Sequence, residues 1–144
     1  MEETVGCALA RAGAAHRGRA HALLTEIGLH PGQEFLLHAL WEHDGAYPSD
    51  LAERLGVEPA TVTKMLRRLE SSGVVRREPD PQDGRRVQVC LTDRGRALEA
   101  HTHAAWRRLE AETGAGLSPD ERATLRTLLD KVRANLQAAG RQGG

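Results

Sequence analysis

Aromatic residues are almost missing from this chain of 144 residues, which holds one Phe, one Tyr and two Trp. A core with so few rings must be built from Leu, Val and Ala, and because Ala, Leu, Arg and Glu are strong helix formers the expected class is mainly α. Cysteine is scarce too: Cys7 and Cys90 are too few for a disulfide framework. No stretch approaches the roughly 20 apolar residues that a membrane-crossing helix needs. The acidic first residues, without a long apolar run behind them, do not read as a signal peptide, so the expected location is cytoplasmic with no membrane partner. Net charge is also lacking, since 20 basic and 20 acidic side chains cancel. That balance speaks against a nonspecific nucleic-acid coat, which is basic throughout.

The usual signatures of catalysis are absent as well. There is no glycine-rich phosphate loop, no nucleophile elbow and no evident pair of carboxylates, so no enzyme is expected. The seven histidines do not suggest a metal. His16 and His21, like His38 and His43, are five apart and fall on different sides of a helix. His101 and His103 are two apart, and neither Cys-x-x-Cys nor His-Glu-x-x-His occurs. No metal and no cofactor are expected.

What is present is a series of apolar stripes punctuated by proline and glycine. Residues 2–27 read as one long Ala-rich helix stopped by Gly28, with Gly6, Gly13 and Gly18 offset by close packing against a partner. Pro31 opens a second helix (Phe35, Leu36, Leu37, Leu40, Trp41) that ends at Asp44-Gly45. Pro48 to Gly56 and Pro59 to Gly73 supply two more, the latter with Val62, Met65, Leu66 and Leu69 on one face. The period then changes: 74–78 and 87–91 are short and Val-rich, and the turn formers of 79–86 between them predict a hairpin. Thr92-Asp93 caps a helix running to about Glu112. Ser118-Pro119-Asp120-Glu121 is a capping box opening the last helix, which frays from Gly140.

Two constellations carry function. Leu51 to Val62 has helix-turn-helix grammar, with a short helix ending at Gly56, an apolar plug at Val57 and a second helix beginning at Pro59. The second helix of such a unit lies in the major groove. Opposite its apolar stripe it carries Ala60, Thr61, Thr63, Lys64, Arg67 and Arg68, with no acid among the six. Small and hydroxyl residues near the helix start suit base edges and thymine methyls, and the cations suit bases or phosphates. The hairpin that follows is a wing: Arg85 is the candidate for the minor groove, Arg86 for a neighbouring phosphate, and Asp83 for holding Arg85 by an ion pair. From Lys64 to Arg86 seven bases face four acids, a local excess of three positive charges.

The run from about Leu37 to Gly95 resembles the MarR (multiple antibiotic resistance regulator) family of winged helix-turn-helix proteins. The resemblance rests on Leu51-Ala52-Glu53-Arg54-Leu55-Gly56, Thr61-Val62-Thr63-Lys64, Leu69-Glu70, Gly73-Val74-Val75-Arg76-Arg77, and Asp80-Pro81-Gln82-Asp83-Gly84-Arg85 leading to Leu91-Thr92-Asp93-Arg94-Gly95. It implies a single MarR-like chain, 1–144, with a DNA-binding lobe at 31–95 and dimerisation helices at 1–28 and 96–140. It further implies a homodimer on a pseudo-palindromic operator in double-stranded DNA, repressing until a small aromatic or phenolic ligand enters a crevice. His16, His38 and Trp41 are the candidates to face that ligand, with core or interface packing as their alternative role. Unspent apolar surface on the first and last helices independently favours a symmetric dimer.

Two alternatives stay open on the sequence. Cys7 sits where some members of the family sense hydroperoxides, but the tyrosines that stabilise such a thiolate are lacking, since Tyr47 is the one tyrosine and lies far along the chain. A winged helix used as a protein-interaction module, its basic helix meeting an acidic partner, is the other.

Overall fold

Proline and glycine set the helix boundaries. The computed structural model describes residues 3–143 and orders the elements as α1 (Val5–Glu26), α2 (Gln33–Glu42), α3 (Pro48–Leu55), α4 (Pro59–Ser71), β1 (Val75–Pro79), β2 (Val87–Leu91), α5 (Asp93–Thr113) and α6 (Pro119–Gln142). This is a mainly α chain with one antiparallel hairpin. Residues up to Leu109 form one compact unit, and the chain from Glu110 onward forms a second.

Several ends differ from expectation. Thr4 caps α1 through its hydroxyl, which accepts the Cys7 N–H at 3.1 Å, so the helix begins at Val5. Residue 2, the expected start, lies outside the described residues. Pro31 does not open α2: Gly32 takes a left-handed φ of 96° as N-cap, and the helix starts at Gln33. The Gln33 side chain accepts the His30 N–H, and the Glu34 carboxylate accepts the Gly32 N–H, so both buried polar side chains serve this turn. The first strand runs one residue later than expected, and α6 continues past Gly140 to Gln142.

In the first unit, Leu36, Leu37 and Leu40 of α2 meet Leu51 of α3, Val62, Leu66 and Leu69 of α4, and Val74, Val75, Val89 and Leu91 around the hairpin. The strands pair in the register Val75↔Leu91 through Pro79↔Val87. Ala46 adds a bridge on the other side of β2, exchanging both backbone hydrogen bonds with Val89.

The first turn of α5 is held by a junction of unusual closeness. Thr92 caps the helix, its hydroxyl oxygen accepting the Gly95 N–H at 3.1 Å while its O–H faces the Gly73 carbonyl at 2.5 Å and the Val74 carbonyl at 3.0 Å; the Thr92 N–H donates to that Val74 carbonyl at 3.1 Å. Gly95 is buried, and a Cβ built on it falls 2.2 Å from that same carbonyl oxygen. Its own carbonyl accepts the Trp41 indole N–H at 3.0 Å. The Leu-Thr-x-x-Gly pattern therefore reports a cap and a backbone approach that no side chain can enter.

In the second unit, the Ser118 hydroxyl accepts the Glu121 N–H at 3.1 Å and the Glu121 carboxylate accepts the Ser118 N–H at 2.9 Å, completing the capping box. The bond to the Ser118 backbone, with a smaller contribution from its side chain, holds the Glu121 carboxyl below the usual range. No described residue of α6 is buried.

Gly95→Ala is expected to cost at least about 2 kcal/mol, because overpacking against backbone cannot be relieved by a rotamer change. Gly18→Ala, where an added Cβ meets nothing within 4 Å, is expected to stabilise by about 0.5–1 kcal/mol through helix propensity. Urea denaturation of both variants measures the contrast; equal stabilities would show the close junction to be absent.

Candidate nucleic-acid interface

The helix-turn-helix is built as its residues dictate. Leu51 and Ala52 are buried beneath α3, and Gly56 ends the helix at φ 64°, a left-handed conformation that costs a glycine little. The Val57 N–H then returns to the Ala52 carbonyl at 3.1 Å, and its side chain packs on the core. Pro59 starts α4, where Val62, Leu66 and Leu69 point inward.

On the other side of α4, Ala60, Thr61, Thr63, Lys64, Arg67 and Arg68 are all exposed. At 100° per residue, Ala60, Lys64, Arg67 and Ser71 fall in one row opposite the buried stripe, flanked by the threonines and Arg68. Thr63 donates its hydroxyl proton to the Pro59 carbonyl at 3.0 Å, and Ser71 donates to Arg67 at 2.9 Å. Thr63 therefore offers a methyl group and an acceptor oxygen rather than a free donor. Ser71 and Ser72, with His30, Arg67 and Arg68, also line an open depression at the end of the helix, a feature the sequence reading did not single out.

Ion pairing sorts the seven basic residues into two sets. Arg76 is paired with Glu78 at 3.2 Å, and Arg77 with Glu70. Among the described residues, Lys64, Arg67 and Arg68 have no carboxylate within salt-bridge reach. The positive charge left unspent is thus on α4 and at the wing tip.

The wing loop is closed by its own backbone. The Asp80 N–H donates to the Arg86 carbonyl at 2.9 Å, the Arg86 N–H to the Asp83 carbonyl at 3.0 Å, and the Gln82 N–H to the Asp80 carboxylate at 2.8 Å. The Asp83 carboxylate accepts the Arg85 N–H at 3.1 Å, whereas its distance to the Arg85 Nε is 3.8 Å. Asp83 shapes the loop more than it clamps the guanidinium, since an ion pair this long on a side chain 97% exposed contributes little. Arg86 lies over the Tyr47 ring, its Cζ 3.5 Å from the centroid.

The three ligand candidates separate. His16 lines a cavity of about 220 Å³ with Ala20, Leu23 and Leu24 of α1, Glu34 and Phe35 of α2, and Ala105, Trp106 and Leu109 of α5. His38 and Trp41 are not among its walls. They belong to a ring cluster in which His38 is 5.7 Å from Trp106 and Trp41 is 6.0 Å from His103, centroid to centroid. Trp106 is shared by cavity and cluster, and was legible in the sequence only as one apolar helix position.

The thiols differ in setting. Cys90 is buried, and burial pushes its pKa up to about 11, with the Glu78 carboxylate accepting its S–H at 3.2 Å and adding to the rise. Cys7 is only partly covered on α1, and the single tyrosine is engaged elsewhere, on Arg86.

The family model described as the MarR family matches residues 29–87. The transcriptional regulator TtmR of Methylorubrum extorquens is 39% identical over 127 residues, 87% of this chain and 64% of TtmR, so the chain spans just under two thirds of that protein. The transcriptional repressor Rv2887 of Mycobacterium tuberculosis is 31% identical over 128 residues, 89% of this chain and 92% of its own length. Its crystal structure in complex with DNA is similar at a TM-score of 0.70 and 29% identity, covering 91% of this chain and 98% of that one. Bordetella bronchiseptica BpsR, whose DNA binding is regulated by 6-hydroxynicotinic acid, gives a TM-score of 0.73 at 30% identity, covering 91% and 94%. The chain belongs to the MarR family, whose members are transcriptional regulators rather than enzymes.

A thiol reagent at pH 7.5 is expected to modify Cys7 in the native protein and Cys90 only on unfolding, because the thiolate is the reactive form. Mass spectrometry of a labelling time course reads this directly; comparable rates at both sites would contradict the buried, protonated Cys90. Since folding raises the Cys90 pKa above its ordinary value of 9.0, the unfolded chain loses its proton first. Stability should be unaffected below pH 9 and fall between about pH 9 and 11.

Proposed function

We propose that this protein is a homodimeric, sequence-specific repressor that grips a pseudo-palindromic operator and lets go when a small aromatic ligand enters the α1–α2–α5 cavity. The observation that carries the DNA reading is the set of available cations: Lys64, Arg67 and Arg68 on an acid-free helix face with no carboxylate in reach among the described residues, and Arg85, 97% exposed at the wing tip with only a long contact to Asp83. In this reading α4 lies in the major groove with Ala60, Thr61 and Thr63 nearest the base edges, and Arg85 enters the minor groove. Residues 31–95 are the DNA-binding lobe.

Dimerisation is supported by apolar surface on the last helix. Leu125, Leu128, Leu129 and Leu136 of α6 are between 42% and 63% exposed in the single chain. A stripe of this kind is most readily covered by a second copy, with residues 1–28 and 96–140 as the arms that meet.

The cavity suits a neutral ring more than an acid. No Lys or Arg lines it, its walls are almost wholly apolar, and the one carboxylate present, Glu34, is occupied by the Gly32 N–H. His16 remains as the polar group able to orient a ring hydroxyl, which favours a phenolic ligand. Such a ligand weakens DNA binding only if it prefers the conformation that does not fit the operator.

Mobility shifts across a salt series test the DNA reading. Lys64→Ala with Arg85→Ala is expected to weaken specific binding at least about a hundredfold, and Arg67→Ala to reduce the salt slope by about one. Salt-sensitive smearing with no preferred site would instead favour a protein-interaction module. Separately, Leu128→Glu with Leu129→Glu is expected to shift the protein toward monomer in sedimentation at micromolar concentration; a wild-type protein already monomeric there would refute the dimer.

A further inference from the structure

Tyr47 stands at a crossing point that the DNA-contact reading does not use. It precedes Pro48 as the N-cap residue of α3, where its carbonyl accepts the Leu51 N–H. Its neighbour Ala46 exchanges two backbone hydrogen bonds with Val89 of β2, at 3.0 and 2.7 Å. Its ring is covered by Arg86, the residue whose backbone N–H and C=O both close the wing loop. One side chain thus touches the end of the wing loop from the start of the helix-turn-helix.

The Arg86 Cζ lies 3.5 Å from the ring centroid, within contact distance for a guanidinium packed against the ring face. A stacked guanidinium keeps its N–H donors in its own plane, directed away from the ring. Arg86 can therefore give one face to Tyr47 and its edge to a phosphate, with its rotamers already restricted before DNA arrives.

We infer that Tyr47 is the positioning residue of the wing: by stacking on Arg86 it fixes the β2 end of the wing loop against the start of α3 and presents the Arg86 edge to the DNA backbone. The inference rests on the proposed DNA binding for its second half and on the free protein for its first. Neither half requires the tyrosine hydroxyl, since the ring face does the work. Tyr47→Phe should therefore preserve the function and Tyr47→Ala should not.

Two measurements on the full chain test this, with thermal unfolding used to confirm that each variant is folded. The first is hydrogen exchange without DNA. Tyr47→Ala is expected to accelerate exchange at the amides of Asp80, Gln82, Arg85 and Arg86 at least about fivefold, and Tyr47→Phe to leave them near wild type. The second uses a labelled duplex selected by the wild-type protein from a random-sequence pool. Tyr47→Ala should weaken binding about fivefold to thirtyfold, Tyr47→Phe less than about threefold, and Tyr47→Ala should add little once Arg86→Ala is present. Independent, multiplying effects of the two substitutions, or a Phe variant as impaired as the Ala variant, would overturn the positioning role. A wild-type protein that selects no duplex overturns the repressor reading instead. The exchange experiment then decides Tyr47 alone, and equal exchange in wild type and Tyr47→Ala rejects it.

Discussion

The approach of the α5 backbone to Val74 is the constraint from which the other placements follow. Gly95 lets the first turn of α5 lie against the Val74 carbonyl, and Thr92 satisfies the polar groups that this closeness would otherwise strand. Val74 also donates its N–H to Leu69 at the end of α4. A single short segment therefore links α4, the hairpin and α5. Trp41 extends the link to α2 through its indole N–H. With these contacts made, the hairpin has little freedom to tilt relative to α4, so the row of cations on α4 and the arginine at the wing tip keep one spacing.

Charge is then distributed by pairing more than by composition. A chain with no net charge can still present a positive surface if its acids are spent locally, and here Glu70 and Glu78 neutralise Arg77 and Arg76 at the wing base. These two arginines do structural work, with Arg76 also donating to the Leu91 carbonyl at 2.6 Å. What remains unpaired is what a phosphate backbone attracts.

Much of the fold was legible because the signals were local. Pro48, Gly56, Pro59, Gly73 and the Ser118–Glu121 box each act through the conformation of their own or an adjacent residue, and the elements they bound fall where expected. The exposed face of α4 followed from the spacing of Val62, Leu66 and Leu69. Most of what was not legible depended on pairs distant in sequence; the start of α2 is a local exception. Pro31 looked like a helix start, but the side chains of Gln33 and Glu34 stabilise a turn there instead. Nothing in the residue types of His16, His38 and Trp41 separates them, and only the packing of α5 decides that His16 lines the cavity while the others join His103 and Trp106. The stack of Tyr47 on Arg86 joins positions 39 residues apart, and no period or motif records it.

The Ala46–Val89 bridge has a consequence for how copies of this protein can meet. Flanked by Ala46 on one side and β1 on the other, β2 has part of its outer edge already occupied. The remaining edge belongs to β1, whose residues are Val75, Arg76, Arg77, Glu78 and Pro79. Three charges and a proline along five residues make a poor template for strand addition. Growth of the sheet from molecule to molecule is thereby discouraged at both of its edges.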